Sequence, residues 1–174
     1  MKKFIIPVLL VLILAACSST PDEPEKKGAD VVTRNNGDIK TVDATKVTAG
    51  KLPPELTDPK NILSKRSIYF DYDKYDVRAE YKDLVTAHAK FLTNNRQFKV
   101  LIQGNTDDRG SREYNIALGQ KRADAIKKML TLLGAREDQV ESVSLGEEKP
   151  KNEGQNEAAW TENRRGDILY QGEY

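Results

Sequence analysis

The stretch VLIQGNTDDRGSREYNIALGQKRADAIKKMLTLL, Val100 to Leu133, decides the fold: an apolar run passes into a polar loop, and the loop into a long amphipathic pattern. Val100 and Ile102 alternate with Lys99, Leu101 and Gln103, predicting a strand over 98–104, with Leu101 suggesting burial on both faces. A helix is predicted from Ser111, whose hydroxyl can cap it, with Glu113 beside the free amides of the first turn. Its apolar stripe reads through Tyr114, Leu118, Ala125, Ile126, Met129, Leu130 and Leu133, and Gly134 stops it. Between strand and helix lie Asn105, Thr106, Asp107, Asp108, Arg109 and Gly110. Arg122 follows Asp107 by fifteen positions, on the helix. Two readings of Asp107 and Arg122 stand side by side. They form a loop-to-helix salt bridge, or they grip a group carrying both an ammonium and a carboxylate, since an Arg guanidinium offers a planar fork to a carboxylate.

On the amino-terminal side, SIYFD, Ser67 to Asp71, reads as a strand followed by the acidic, aromatic loop Asp71 to Asp76. Tyr81, Leu84, Val85, His88, Phe91 and Leu92 recur at helical spacing up to Thr93, and Asn94 and Asn95 end that helix. On the carboxyl-terminal side, Gln139 to Leu145 reads as a third strand and Gly146 to Gly154 as a charged loop. Asn156 to Asn163 reads as a short helix carrying Trp160, placed at the core or its edge, and Arg164 to Gln171 contains a last strand. Strands alternating with helices predict an α+β fold, one mixed four-stranded sheet with helices packed on one face.

Ahead of this domain, Met1 to Lys3 is a positive segment, Phe4 to Leu14 an apolar run of eleven residues, and Leu14 to Cys17 a small-residue site ending in cysteine. A membrane-spanning helix needs roughly 20 apolar residues, so residues 1–16 read as a secretory signal. Residues 17–65 read as a tether: they are rich in Ser, Thr, Pro, Asp, Glu, Lys and Gly, with too few large apolar side chains to fold alone. A local exception is the Asn36, Gly37 turn signal between two β-prone runs over 31–42. As a coil, Ser18 to Lys65 would span about 40 Å, and about 160 Å at full stretch. The folded domain is expected over 66–174.

The formal net charge is +1, from 28 basic and 27 acidic residues; without Lys2 and Lys3 it becomes 26 against 27, or −1. No global field favours nucleic acid or an anionic membrane surface. One cysteine, Cys17, excludes an intrachain disulfide, and with one histidine, His88, no metal site or cofactor is expected. Enzymatic activity is not expected either. Asp107, Asp108 and Glu113 supply carboxylates without the apolar pocket that raises the pKa of an acid catalyst, and His88 lies on the apolar side of its helix. Asp108 and Arg109 are read as capping the loop or facing solvent, and Arg165 as anchoring the last strand to the acidic loop.

Gly104, Asn105, Thr106, Asp107, then Arg109, Gly110, Tyr114, Asn115, Leu118, Arg122 and Ala123, followed by Gly146, Glu148, Lys149, Pro150 and Asn163 to Arg165, resemble the OmpA-like peptidoglycan-binding domain family. The run Tyr69 to Asp76 and the lipobox-like Leu14 to Cys17 resemble its lipoprotein branch, the peptidoglycan-associated lipoproteins. Asn105 stands where many members carry histidine. The resemblance implies lipidation of Cys17, with Ser18 after it favouring the outer membrane, and anchoring on the periplasmic face. It implies noncovalent binding of the diaminopimelate-containing peptide stem of peptidoglycan by Asp107 and Arg122. Further contacts are implied at Tyr72, Asp73, Thr106, Leu118 and Gly119, with Asn163 and Arg164 at the rim. The implied setting is the Tol system, with TolB as protein partner; a domain that mainly docks TolB and binds the wall weakly is the alternative.

Overall fold

The computed structural model describes residues 52–174. The signal segment, Cys17, the hairpin expected over 31–42 and the tether up to residue 51 lie outside the described residues. A short helix α1, Pro54–Thr57, and a single 3-10 turn, Ile62–Ser64, lead into strand β1, Ser67–Tyr69. A second 3-10 turn, Ala79–Tyr81, runs into α2, Lys82–Asn94, followed by β2, Val100–Asn105, and α3, Arg112–Leu132. After a third 3-10 turn, Glu137–Gln139, come β3, Val140–Gly146, α4, Glu157–Asn163, and β4, Arg165–Tyr170. Among the described residues, no helix is long and apolar enough to cross a membrane.

The sheet order is β1-β4-β2-β3. β2 and β3 run parallel, joined by α3 as the crossover, and β4 inserts antiparallel between β1 and β2. The expected mixed sheet is therefore formed. Register aligns Val100 with Tyr170, Ile102 with Ile168 and Gly104 with Gly166, while Ile68 pairs with Gly166 on the other side. With a side-chain period of two, these residues share one face. That face packs with Leu84, Val85, Ala89, Phe91 and Leu92 of α2 and Ala123, Ile126 and Leu130 of α3 in the core. Leu101 lies on the opposite face with Val143 and Leu169, half-buried rather than enclosed on both sides.

Two glycines bring α3 close to the sheet. A Cβ on Gly104 would sit 1.8 Å from the Gly119 carbonyl oxygen, and one on Gly119 would sit 2.3 Å from Ser144 Oγ. The buried stripe of α3 runs through Asn115, Leu118, Gly119, Arg122, Ala123, Ile126 and Leu130. Tyr114 and Leu133, expected in that stripe, face outward. For Tyr114 the reason is that the amino-terminal half of α3 packs a polar cleft rather than the apolar core, so its inward face carries Asn and Arg; Leu133 is the C-cap, past the last helical residue.

The packed region begins before residue 66. Leu56 is buried in the core, Leu52 and Leu63 pack against it, and Arg66 Nη2 donates to the Leu56 carbonyl at 2.9 Å. His88, on α2, is fully buried. Its Nε2 lies 2.9 Å from the Lys65 carbonyl, which only accepts, so Nε2 carries the proton and Nδ1 accepts from Tyr170 Oη at 2.9 Å. Burial, countered in part by the Lys65 hydrogen bond, lowers its pKa to about 4.

Candidate binding site

Asp107 leaves the carboxyl end of β2 in the loop that ends at Ser111, whose hydroxyl accepts from the Tyr114 amide and starts α3. Its carboxylate is buried. Oδ2 accepts from Arg109 Nη2 at 2.6 Å and from Arg164 Nη1 at 3.1 Å, and Oδ1 from the Arg109 amide at 3.3 Å. Burial works against ionisation, but the hydrogen bonds from Arg109 and Arg164 outweigh it and hold the carboxyl below its usual range. Arg164 is itself fixed by the Phe70 carbonyl, Glu157 and Thr161.

Arg122 is fully buried on α3, one turn beyond Gly119. Nε donates to the Lys74 carbonyl at 2.8 Å, Nη1 to Asn105 at 2.8 Å and Nη2 to Asp71 at 3.2 Å. The side chain thus ties the acidic loop after β1 to the end of β2. Burial, opposed by the Asp107 carboxylate, lowers its pKa to about 10, so it stays charged at neutral pH. A guanidinium has five N–H groups, and these three hydrogen bonds leave two.

Asp107 and Arg122 make no direct salt bridge within the ion-pair distance found for Arg109 and Arg164. Both line a narrow cleft of about 20 Å³ together with Arg109 and Arg164, closed by Tyr72, Asp73, Tyr114, Asn115 and Leu118. Asp73 adopts a left-handed backbone, φ 55°, and its carboxylate accepts from the Tyr114 hydroxyl.

The other expected site residues divide. Tyr72, Asp73, Leu118 and Arg164 line the cleft with Asp107 and Arg122. Thr106 and Asn163 line a neighbouring cavity of about 140 Å³. There the Asn163 side chain accepts from the Lys151 and Asn152 amides at 2.7 and 3.0 Å, which holds the loop after β3. Gly119 lies under α3 against Ser144 and Gly104. Arg165 does not reach the acidic loop; it pairs with Asp167 at 2.9 Å on its own strand, two residues on and hence on the same face.

Arg109, expected to cap or face solvent, lies across the cleft instead. Its guanidinium carbon is 4.2 Å from the Tyr72 ring centroid and 4.1 Å from that of Trp160. Tyr114 and Asn115 also line the cleft, a placing that the sequence motif alone does not imply. Their signal was position, since residues in the first turn of a helix face the loop that precedes it.

A parallel β2-α3-β3 unit flanked by the antiparallel β4, carrying a buried Asp in the β2-α3 loop and a buried Arg in the middle of α3, defines a recognisable class. The chain belongs to the OmpA family, whose model matches residues 69–164. It is similar to the peptidoglycan-associated lipoprotein of Haemophilus influenzae, 39% identical over 173 residues that cover 98% of this chain and 100% of that protein. The protein of the same name from Pasteurella multocida is 50% identical over 104 residues, 60% of this chain and 69% of that one. Among solved structures, the peptidoglycan-associated lipoprotein from Burkholderia pseudomallei is 53% identical with a TM-score of 0.66, covering 67% of this chain and 99% of that one.

Proposed function

We propose that this protein is a lipid-anchored outer-membrane protein that binds the diaminopimelate-containing stem peptide of peptidoglycan noncovalently, and so couples the membrane to the wall. The observation that carries the reading is the cleft in which an ionised Asp107 lies near a charged Arg122 with two N–H groups to spare. Diaminopimelate ends in an amino acid zwitterion. Its ammonium suits the carboxylate and its carboxylate suits the guanidinium. The name of the similar proteins, peptidoglycan-associated lipoprotein, supports peptidoglycan as the ligand and a lipid anchor. Asp107 is held ionised by two guanidiniums, which suits holding a cation and not donating a proton. Read from composition alone, the segment between Cys17 and residue 52 is long enough for the domain to meet a wall at a distance from the membrane.

Sedimentation with purified sacculi tests this. Wild-type protein is expected to pellet with the wall, and Asp107→Asn to remain in the supernatant. Equal pelleting of the two, with the variant folded, would defeat the assigned site.

Exposed aromatic residues at the mouth support a second reading, in which TolB of the Tol system docks on the same rim. Tyr72 and Tyr114 are 58% and 48% exposed there, and tyrosines are enriched in protein interfaces. Soluble stem peptide is then expected to compete with TolB for the domain. Simultaneous binding without mutual effect would separate the two surfaces.

A further inference from the structure

Resting on the reading of the cleft just given, we infer that Arg109 is a displaceable latch: its guanidinium occupies the ammonium seat on Asp107 and swings out when a ligand ammonium takes it. Both oxygens of Asp107 are engaged, Oδ2 by Arg109 and Arg164 and Oδ1 by the Arg109 amide. The cleft of about 20 Å³ has room for one water. Three of the carboxylate's about four acceptor sites are taken, and a primary ammonium with its carbon arm needs more space than the cleft holds, so one of the two guanidiniums gives way.

The surroundings decide which. Arg164 has a side chain only 6% exposed, and besides Asp107 it is held by the Phe70 carbonyl, Glu157 and Thr161. Arg109 has a side chain 31% exposed. Its second ionic partner, Glu157, is 3.6 Å away and open to solvent. Its Nε is buried without an acceptor, an unfavourable feature of the closed position that ends when the side chain moves into water. What keeps it closed is the ion pair with Asp107 and its place between the Tyr72 and Trp160 rings. Tyr72 and Trp160 therefore set how hard the latch is to open, and the cleft favours ligands cationic enough to replace a guanidinium.

Because Trp160 is the single tryptophan, its fluorescence reports directly on the stacked guanidinium. The test is titration of a diaminopimelate-containing tripeptide into the full chain in detergent, comparing wild type with Arg109→Gln and Arg109→Lys. A latch lowers apparent affinity by the fraction of molecules that are open, so Arg109→Gln is expected to bind about fivefold tighter or more. Arg109→Lys loses the flat stacking face while keeping a charge, and is expected to fall between; it stands in for the glutamine variant should that one fail to fold. Trp160 emission is expected to shift when peptide binds wild type and to stay unchanged when it binds Arg109→Gln. Affinity in the variants equal to or below wild type overturns the latch alone, as does unchanged Trp160 emission in peptide-saturated wild type. A peptide that binds none of the three proteins contradicts the reading of the cleft and the latch with it.

Discussion

Removing the Arg122 guanidinium would take the side-chain donor from the carbonyls of Asn105 and Lys74, while the Asp71 carbonyl would keep the Lys74 amide. A buried acceptor stripped of its partner costs about 1–3 kcal/mol, and the Asn105 carbonyl is the buried one of the three, so Arg122→Ala is expected to lose about 1–3 kcal/mol of stability in urea unfolding, as well as binding. Binding loss in that variant therefore needs a folding control. Asp107→Asn keeps the shape of the side chain but removes the charge opposite Arg164, and is expected to lose about 1–3 kcal/mol while remaining folded. At this scale the placing of Asp107 and Arg122 near one another was legible in their spacing across a loop and a helix, whereas the ligand role proposed for them came from the family resemblance. Arg109 was not legible in this way. Its position depends on rings at Tyr72 and Trp160 that arrive from other parts of the chain, and local sequence holds no signal for such stacking.

At the scale of elements, α3 carries Arg122 of the proposed site, and its seat on the sheet is set by Gly104 and Gly119. Gly119→Ala would drive a methyl group onto Ser144 Oγ and the Gly104 carbonyl, 2.3 and 2.8 Å away. Overpacking of this kind costs about 1–3 kcal/mol. The expected readout is a lower urea midpoint with unchanged slope, together with weakened wall binding as the turn bearing Arg122 is lifted. Strand and helix positions were legible from alternation and helical spacing, and Ser111 as the cap of α3 from its place before the charged first turn. The expected stripe of α3 is buried at Leu118, Ile126 and Leu130 but not at its ends, Tyr114 and Leu133, and it missed the polar inward residues for a physical reason. Apolar periodicity locates a stripe that packs a core, whereas this helix also buries Asn115 and Arg122 against a polar cleft and Gly119 against the sheet.

For the whole molecule, the domain reaches back into what composition marks as tether. Pro, Asp and Lys dominate residues 53–60, yet Leu56 alone enters the core. Leu56→Ala is expected to cost about 2–4 kcal/mol, and a chain beginning at residue 66 to unfold at lower urea than one beginning at residue 52. Acid is expected to weaken the fold through His88. Its pKa is about 4 in the folded state against 6.5 ordinarily. Between those values the unfolded chain binds the extra proton, so stability is full above about pH 6.5 and is lost as pH falls through about 4, a loss on the order of 3 kcal/mol. Urea unfolding at pH 7.5, 5.5 and 4.5 checks this, and His88→Gln is expected to flatten the slope over that window. The Asp107 carboxyl, with its pKa below the usual range, adds acid sensitivity only at lower pH.

The central claim, that the cleft holds a zwitterionic side-chain end, is tested most directly by calorimetry with two stem peptides, one containing diaminopimelate and one containing lysine in its place. The pair shares the ammonium and differs by the carboxylate. The account predicts that the lysine peptide binds at least about tenfold more weakly, the loss of a charge-assisted hydrogen bond to Arg122. Equal affinities for the two peptides would contradict it.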